Sequence, residues 1–173
     1  MNILPFFKHI TTFIFDIDGV LTDGTVFVFD SGEQVRRMNI KDGYALQLAI
    51  KKGYKIIAIS GAAASGAKLR LNKLGITDVF TGVENKKEKM LAFISENNLN
   101  KQEVLFMGDD MPDYDAMQLA GLGCAPSDAM PEIKHIAKYI SPCKGGDGCV
   151  RDVIEKVLKL NGHWSNDTSV ASK

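Results

Sequence analysis

Residues 13–24 of the chain read Phe13-Ile14-Phe15-Asp16-Ile17-Asp18-Gly19-Val20-Leu21-Thr22-Asp23-Gly24, a short apolar run followed by two aspartates and a glycine-containing turn. The first three residues of this stretch are apolar and predict a buried strand, in which residues two positions apart lie on the same side. Asp16 and Asp18 should therefore project together where the strand ends. Two carboxylates this close are costly to bury unless a cation or a proton lies between them. The stretch therefore predicts a reactive site that holds a divalent metal ion.

The bulk composition predicts an ordinary globular protein. The chain has 173 residues, of which 45% are hydrophobic and 24% charged, and this suits one domain with a sizeable core. Lysine and arginine together number 21 and balance 21 aspartate and glutamate residues. A net charge of zero favours neither a nucleic-acid nor a membrane partner attracted by bulk electrostatics. Residues 1–12 contain no apolar run long enough for a signal peptide or a membrane span, so we expect a cytoplasmic protein.

The sequence predicts reduced cysteines and a single domain that ends before a C-terminal tail. Cys124, Cys143 and Cys149 form no Cys-x-x-Cys pair, and their odd number favours reduced thiols over disulfide bonds or a zinc site. Residues 165–173 are polar and lack periodicity, so we predict a disordered tail. No linker or internal repeat divides the rest, and we expect residues 1–164 to form a single domain.

Beyond the first strand, the chain alternates between strand and helix patterns. Residues 25–29 and 34–39 flank a short glycine-containing turn and predict a β-hairpin. After the hairpin, helices are predicted over residues 44–52, 63–74, 86–97, 113–120 and 150–160, and strands over 55–60, 79–81, 104–108 and 123–125. This alternation predicts an α/β fold, in which helices cover both faces of a central parallel sheet. The expected architecture is a Rossmann-like three-layer sandwich with a hairpin inserted after the first strand.

Several polar residues follow directly on the predicted strands. Ligands bind at the carboxyl ends of the strands in a parallel sheet, and Asp16, Ser60 and Asp109 lie at such ends or one glycine beyond. Aspartate oxygens suit Mg²⁺, which takes one or two carboxylates and several waters. Ser60 and Gly61 precede a helix and offer a hydroxyl and backbone N–H groups to an anion such as phosphate. With Lys86 at the start of another helix, these residues predict phosphoryl transfer.

The order of these residues resembles the four motifs of the haloacid dehalogenase superfamily of phosphatases. The matching stretches are Asp16-x-Asp18-Gly19-Val20-Leu21-Thr22-Asp23-Gly24, Ser60-Gly61, Lys86 and Gly108-Asp109-Asp110-x-x-Asp113. The resemblance implies a nucleophilic role for Asp16, which would form an aspartyl-phosphate. It implies that Asp18 is the general acid for the leaving alcohol and then the general base for water.

The same resemblance implies the ligand-binding residues. Mg²⁺ would bind to Asp16, to the backbone carbonyl of Asp18 and to Asp109. The phosphoryl oxygens would be bound by three further residues, namely Ser60, Gly61 and Lys86. The ion would offset the repulsion between an anionic nucleophile and an anionic phosphate.

The spacing of the motifs narrows the subfamily. The segments from Asp16 to Ser60 and from Ser60 to Lys86 hold only the predicted hairpin, helices and strands. Neither segment has room for a cap domain. We therefore expect an open site, which suits a large substrate or closure by a neighbouring subunit.

Two further stretches resemble the 3-deoxy-D-manno-octulosonate (KDO) 8-phosphate phosphatases, which have no cap domain. They are residues 39–44, Asn-Ile-Lys-Asp-Gly-Tyr, and residues 145–152, Gly-Gly-Asp-Gly-Cys-Val-Arg-Asp. The resemblance implies that the substrate is a small phosphorylated sugar acid and that a homotetramer forms through the hairpin at residues 25–39. It also implies that Arg151 meets the substrate carboxylate, for which a guanidinium group is well suited.

The residues after Ser60 leave other interpretations open. Members of this family usually carry an arginine after the motif II Thr or Ser and its following glycine, whereas this chain has Ala62 and Ala63. A phosphatase for nonulosonate 9-phosphates is therefore one alternative. A response-regulator receiver is a second, although no strand near residues 55–60 ends in the aspartate that would accept the phosphoryl group. A third is a catalytically silent oligomerisation module of a sugar-nucleotide pathway, which the complete set of motif residues argues against.

Overall fold

Six parallel strands form a central sheet in the described residues, and in order across the sheet they begin at residues 78, 55, 12, 104, 122 and 139. The computed structural model describes residues 3–165 and 167–170. The strands are β1 (Thr12–Asp16), β2 (Thr22–Val28), β3 (Gln34–Met38), β4 (Lys55–Ile59), β5 (Asp78–Phe80), β6 (Val104–Met107), β7 (Leu122–Ala125) and β8 (Tyr139–Ile140). The helices are α1 (Leu4–Lys8), α2 (Ile40–Lys51), α3 (Ser65–Lys73), α4 (Lys86–Glu96), α5 (Tyr114–Leu119), α6 (Pro131–Ile136) and α7 (Cys149–Leu160). The predicted α/β fold with a central parallel sheet is confirmed.

The side chains of the sheet alternate between two hydrophobic cores. On β1, Phe13 and Phe15 belong to the core that α2, α3 and α7 cover. Ile14, between them, belongs to the second core, which α4, α5 and α6 cover on the opposite face. All three side chains are fully buried. Because a central parallel strand is covered on both faces, consecutive side chains of its middle part are apolar, and this accounts for the run Phe13-Ile14-Phe15 that precedes Asp16.

Helix starts place two of the motifs. The Asn39 side chain accepts a hydrogen bond from the Lys41 N–H (2.8 Å) and begins α2. The Asn85 side chain accepts one from the Glu88 N–H (3.1 Å) and begins α4, so that Lys86 is the first helical residue. Asparagine at these positions satisfies an N–H group that the helix itself leaves unpaired. Capping by Asn85 therefore holds Lys86 at the carboxyl edge of the sheet.

The hairpin consists of β2 and β3, which pair antiparallel outside the main sheet. β2 begins earlier than predicted because Thr22 pairs with Met38 across the hairpin. The described residues add no cap domain to this hairpin, which agrees with the expected open site. Three elements were missed by the sequence pattern: α1, α6 and β8. They have five, six and two residues, too few for a periodic pattern to identify.

The C-terminal segment contacts α2. Lys51 Nζ lies 2.7 Å from a carboxylate oxygen of Asp167, and Val170 packs against the first core. The disorder predicted for residues 165–173 stays a prediction, since residues 166 and 171–173 lie outside the described residues. In the described part of the chain the three cysteines are free thiols, as expected. Across the same residues, no helix is long and apolar enough to cross a bilayer.

Candidate active site

The chain leaves the sheet immediately after Asp16. β1 ends at this residue, and residues 17–21 form a wide turn in which the backbone of Asp18 and Gly19 departs from helical geometry. Gly19 has φ = +92°, in the left-handed region that favours glycine, and a Cβ atom there would lie 2.1 Å from an Asp109 carboxylate oxygen. Thr22 Oγ1 accepts the Gly19 N–H at 3.2 Å and closes the turn. Asp18 therefore lies on the turn and not on the strand that ends at Asp16, but the side chains of both residues line the same cavity, as expected.

Lys86 joins the acidic residues of two strand ends. Its Nζ lies 2.6 Å from Asp16 Oδ1 and 2.7 Å from Asp113 Oδ1. Each of the three side chains is at most 6% exposed. A buried ion pair of this kind must be well hydrogen-bonded to offset the cost of desolvation. The short contacts on both sides of the ammonium group meet that requirement.

Burial dominates the electrostatics of the cluster. It raises the pKa of Asp16 well above its usual value, and the Asp113 carboxylate adds to this effect. Burial followed by the charge of Asp113 raises the pKa of Asp109 to about 6. Burial alone would lower the pKa of Lys86, but the charges of Asp16 and Asp113 outweigh it and raise this pKa. The site thus holds more negative charge than one ammonium group can balance.

The loop after β6 brings further carboxylate oxygens to the cluster. Asp113 Oδ2 accepts the backbone N–H of Asp109 at 3.1 Å, which turns the loop back on itself. Asp16, Asp109 and Asp113 each offer a carboxylate oxygen, and these oxygens lie within 4.8 Å of one another. Asp109 Oδ1 is buried and has no hydrogen-bond partner among the described residues. Clustered oxygen donors and a buried oxygen without a partner fit a hard divalent cation. The Asp18 carboxylate is not part of this cluster, which leaves its backbone carbonyl as the ligand that the resemblance implied.

Ser60 connects Asp18 to the end of β4. Its side chain is buried, its Oγ accepts the Ala62 N–H at 3.0 Å, and its hydroxyl donates to Asp18 Oδ2 at 3.4 Å. The second Asp18 oxygen accepts from Arg36 Nε at 2.5 Å. We did not predict Arg36 from the sequence. Arg36 and Arg37 are neighbours on β3 and face opposite sides, so only the packing of the hairpin decides which one meets Asp18.

A cavity of about 340 Å³ lies above these residues. Its lining comprises Asp16, Asp18, Gly24, Ser60, Gly61, Ala62, Lys86, Asp109, Asp110, Pro112 and Asp113. A larger groove of about 920 Å³ runs between β3 and α3, and Ala62 borders both spaces. One cavity therefore brings together six of the predicted site residues, namely Asp16, Asp18, Ser60, Gly61, Lys86 and Asp109. Their individual roles stay predictions.

The glycine-rich segment at residues 145–148 packs beneath the turn that follows Asp16. The Gly146 N–H donates to the Val20 carbonyl at 2.9 Å. A Cβ atom on Gly145 would lie 1.9 Å from the Gly19 carbonyl oxygen. The segment thus supports the turn of its own subunit.

Arg151 lies away from this cavity. Its guanidinium carbon is 5.5 Å from the ring centroid of Tyr44 and 5.3 Å from that of Trp164. Its Nε pairs with Glu155 at 3.3 Å. Within one subunit, therefore, the structure does not bring Arg151 together with the other predicted site residues, and contact with a substrate carboxylate stays a prediction.

The fold and the site define a haloacid dehalogenase-like hydrolase. The family model of that description matches residues 76–153. In addition, the 3-deoxy-D-manno-octulosonate 8-phosphate phosphatase KdsC of Escherichia coli is 32% identical over 155 residues, which cover 90% of this chain and 82% of the relative. The chain therefore belongs to the haloacid dehalogenase-like hydrolases, and it is a phosphatase.

Solved structures agree with this assignment. The chain is similar to the 3-deoxy-D-manno-octulosonate 8-phosphate phosphatase of Yersinia pestis, with a TM-score of 0.90 and 30% identity, over 93% of this chain and 87% of that one. It is also similar to the enzyme of the same name from Moraxella catarrhalis, with a TM-score of 0.88 and 28% identity, over 91% of each chain. That structure is a complex with a magnesium ion, a phosphate ion and a KDO molecule.

Proposed function

We propose that this phosphatase is a Mg²⁺-dependent phosphomonoesterase that converts 3-deoxy-D-manno-octulosonate 8-phosphate to KDO and phosphate. The observation that carries the proposal is the buried contact of Lys86 with Asp16, beside the partnerless oxygen of Asp109. One strand end supplies a candidate nucleophile, and the neighbouring elements supply a cation and further carboxylates. This is the set of groups that phosphoryl transfer requires.

Two carboxylates share the proposed chemistry. Asp16 attacks phosphorus, and an oxygen–phosphorus bond forms as the bond from phosphorus to the sugar oxygen breaks. Asp18 gives its proton to that sugar oxygen, which leaves as an alcohol. Asp18 then takes a proton from water, whose oxygen attacks the aspartyl-phosphate, and phosphate and free Asp16 are released. Lys86 binds the non-bridging phosphoryl oxygens, and the Ser60 hydroxyl binds one of them by turning its single hydrogen from Asp18 to the substrate.

The metal site of the proposal consists of Asp16, Asp109 and the backbone carbonyl of Asp18. A bound Mg²⁺ supplies positive charge that lets an anionic nucleophile approach an anionic phosphate. The positive charge of the ion would also lower the raised pKa of Asp16, because a nearby cation favours the ionised carboxylate. Lys86 holds the Asp16 oxygen that it contacts, so that only the other oxygen is free to attack.

The names of the relatives support an eight-carbon sugar acid as the substrate. A nonulosonate 9-phosphate is a second candidate, and the observation in its favour is Ala62, which borders both the cavity and the larger groove. The small side chain of Ala62 leaves space at a position where the family resemblance implies an arginine. The ratio of kcat/KM for the eight-carbon and nine-carbon phosphates decides between the two.

A homotetramer formed through the hairpin remains part of the proposal. Phe27, Val28 and Phe29 are each more than half exposed at one end of the hairpin, and Val35 lies exposed on the facing strand. An exposed apolar patch of this kind is typical of an interaction surface. Light scattering coupled to size-exclusion chromatography of the wild-type chain and of a Phe27→Lys variant tests the assembly.

Release of inorganic phosphate from KDO 8-phosphate tests the reaction. We expect Asp16→Asn to abolish release and to leave the circular dichroism spectrum and the thermal transition in place. Removal of divalent ions with EDTA should stop the wild-type enzyme, and added Mg²⁺ should restore it. Asp115→Asn is the matched control, because Asp115 is an exposed aspartate on α5 and should keep full activity. Unchanged turnover by Asp16→Asn, or by the EDTA-treated protein, would refute the mechanism.

A further inference from the structure

We propose that Arg36 is a positioning residue that holds the Asp18 carboxylate for proton transfer. This inference rests on the proposed function. It assigns a catalytic contribution to the hairpin, whose expected role is assembly. Neither the motifs nor the resemblance indicates this residue.

The geometry around Asp18 supports the assignment. Asp18 lies on the turn after β1, in a residue whose backbone departs from helical geometry, and its side chain is 30% exposed. Its two oxygens are held by different elements: Arg36 Nε on β3 contacts Oδ1, and Ser60 Oγ after β4 contacts Oδ2. The Arg36 side chain is only 8% exposed. A partly exposed aspartate side chain would otherwise sample several rotamers, and these contacts select one of them.

Arg36 lies outside the phosphate-binding space. It borders the larger groove between β3 and α3, whereas the residues that line the smaller cavity include Asp18 but not Arg36. The arginine therefore contacts Asp18 from the far side. Its loss should weaken proton transfer to the leaving group and spare the contacts that Ser60 and Lys86 make with phosphate.

The test compares two phosphate esters that differ in their need for an acid. Departure of the alcohol of KDO 8-phosphate needs a proton from Asp18, whereas p-nitrophenyl phosphate loses a stable phenolate without one. The ratio kcat/KM contains only the steps up to departure of the leaving group, so the later hydrolysis does not enter. For Arg36→Gln we expect kcat/KM to fall roughly tenfold to a hundredfold on KDO 8-phosphate and less than about threefold on p-nitrophenyl phosphate. Arg36→Lys, which keeps the charge, should recover part of the loss.

Arg37→Gln is the matched control. Arg37 is the next residue of β3, is 63% exposed and pairs with Asp23 at 2.9 Å. Replacement of Arg37 should leave kcat/KM unchanged on both KDO 8-phosphate and p-nitrophenyl phosphate. Thermal unfolding and light scattering establish that each variant is folded and assembled as the wild type is.

Three outcomes would overturn the role of Arg36. Equal losses on the two esters in a folded variant would indicate general damage to the site. Unchanged kcat/KM on both esters would show that Asp18 needs no such support. A larger inhibition constant for free KDO in Arg36→Gln than in wild type would show that Arg36 binds the sugar acid itself. The two proposals fail separately, because wild-type protein that releases phosphate from neither ester overturns the proposed function instead.

Discussion

Replacing Gly145 with alanine tests whether the glycine-rich segment holds the catalytic turn in place. The added Cβ would lie 1.9 Å from the Gly19 carbonyl oxygen and 3.1 Å from that of Thr22, both of which are backbone atoms that cannot rotate away. An ordinary contact needs at least 3.4 Å, so the two segments must separate by about 1.5 Å, and overpacking of this kind costs about 1–3 kcal/mol. In a chain of this size, that cost lowers the Tm by about 2–12 °C.

The displaced segment would also move Asp18, which precedes Gly19. A misplacement of about 1 Å lowers kcat roughly a hundredfold. We would measure Tm by circular dichroism and kcat by phosphate release at saturating Mg²⁺. Gly66→Ala is the control, since Gly66 lies in α3 and a Cβ there has no neighbour within 4 Å; it should be neutral or stabilising by about 1 kcal/mol. A Gly145→Ala protein with wild-type kcat and Tm would refute the support that we assign to this segment.

Two further predictions concern buried charges. Lys86→Met removes the ammonium group from between Asp16 and Asp113 and should lower the free energy of unfolding by about 3–5 kcal/mol, measured with urea at pH 7 in EDTA; the exposed Lys87→Met should change it by less than about 1 kcal/mol. Asp42, which accepts the Arg151 N–H at 2.8 Å and so caps α7, has its pKa raised by burial to about 6 from 3.8. Because the folded state binds the proton of the Asp42 carboxyl group more tightly than the unfolded state does, the stability contributed by protonated Asp42 is present below about pH 4 and is lost as the pH rises through 6. Relative to wild type, the free energy of unfolding of Asp42→Asn should therefore increase by up to about 3 kcal/mol between pH 4 and pH 7. If the difference in unfolding free energy between the two proteins stays constant with pH, the pKa of Asp42 is not raised in the folded state.

Much of the fold could be predicted because its signals are local. The apolar run before Asp16 and the asparagine before Lys86 each specify a strand or a helix start from a few neighbouring residues. Ligands bind at the carboxyl ends of the strands in a parallel sheet, and this rule predicts that Asp16, Ser60 and Asp109 lie together without any knowledge of their contacts. Short elements such as α1 and β8 contain too few residues to show a hydrophobic repeat, and their placement depends on the core that they cover.

The site could be predicted less completely. Side-chain alternation suggested that Asp16 and Asp18 act from one strand, but the chain turns after Asp16, so the two carboxylates have different partners. Arg36 was missed, because a strand pattern does not say which of two adjacent arginines faces inward. Within one subunit, Arg151 contacts the aromatic rings of Tyr44 and Trp164 and the carboxylate of Glu155, and its expected contact with a substrate carboxylate stays a prediction.

The parallel α/β fold, the family and most of the residues that meet at the carboxyl edge of the sheet can be predicted from the amino-acid sequence. These properties follow from strand and helix periods and from an ordered set of motifs, which neighbouring residues encode. Three contacts emerge from the packing of the folded chain: Lys86 is buried between Asp16 and Asp113, Arg36 contacts Asp18, and Gly145 packs against the turn at Gly19. Each of these contacts joins segments far apart along the chain, and the packing of the hairpin, the sheet edge and the C-terminal segment selects the partners.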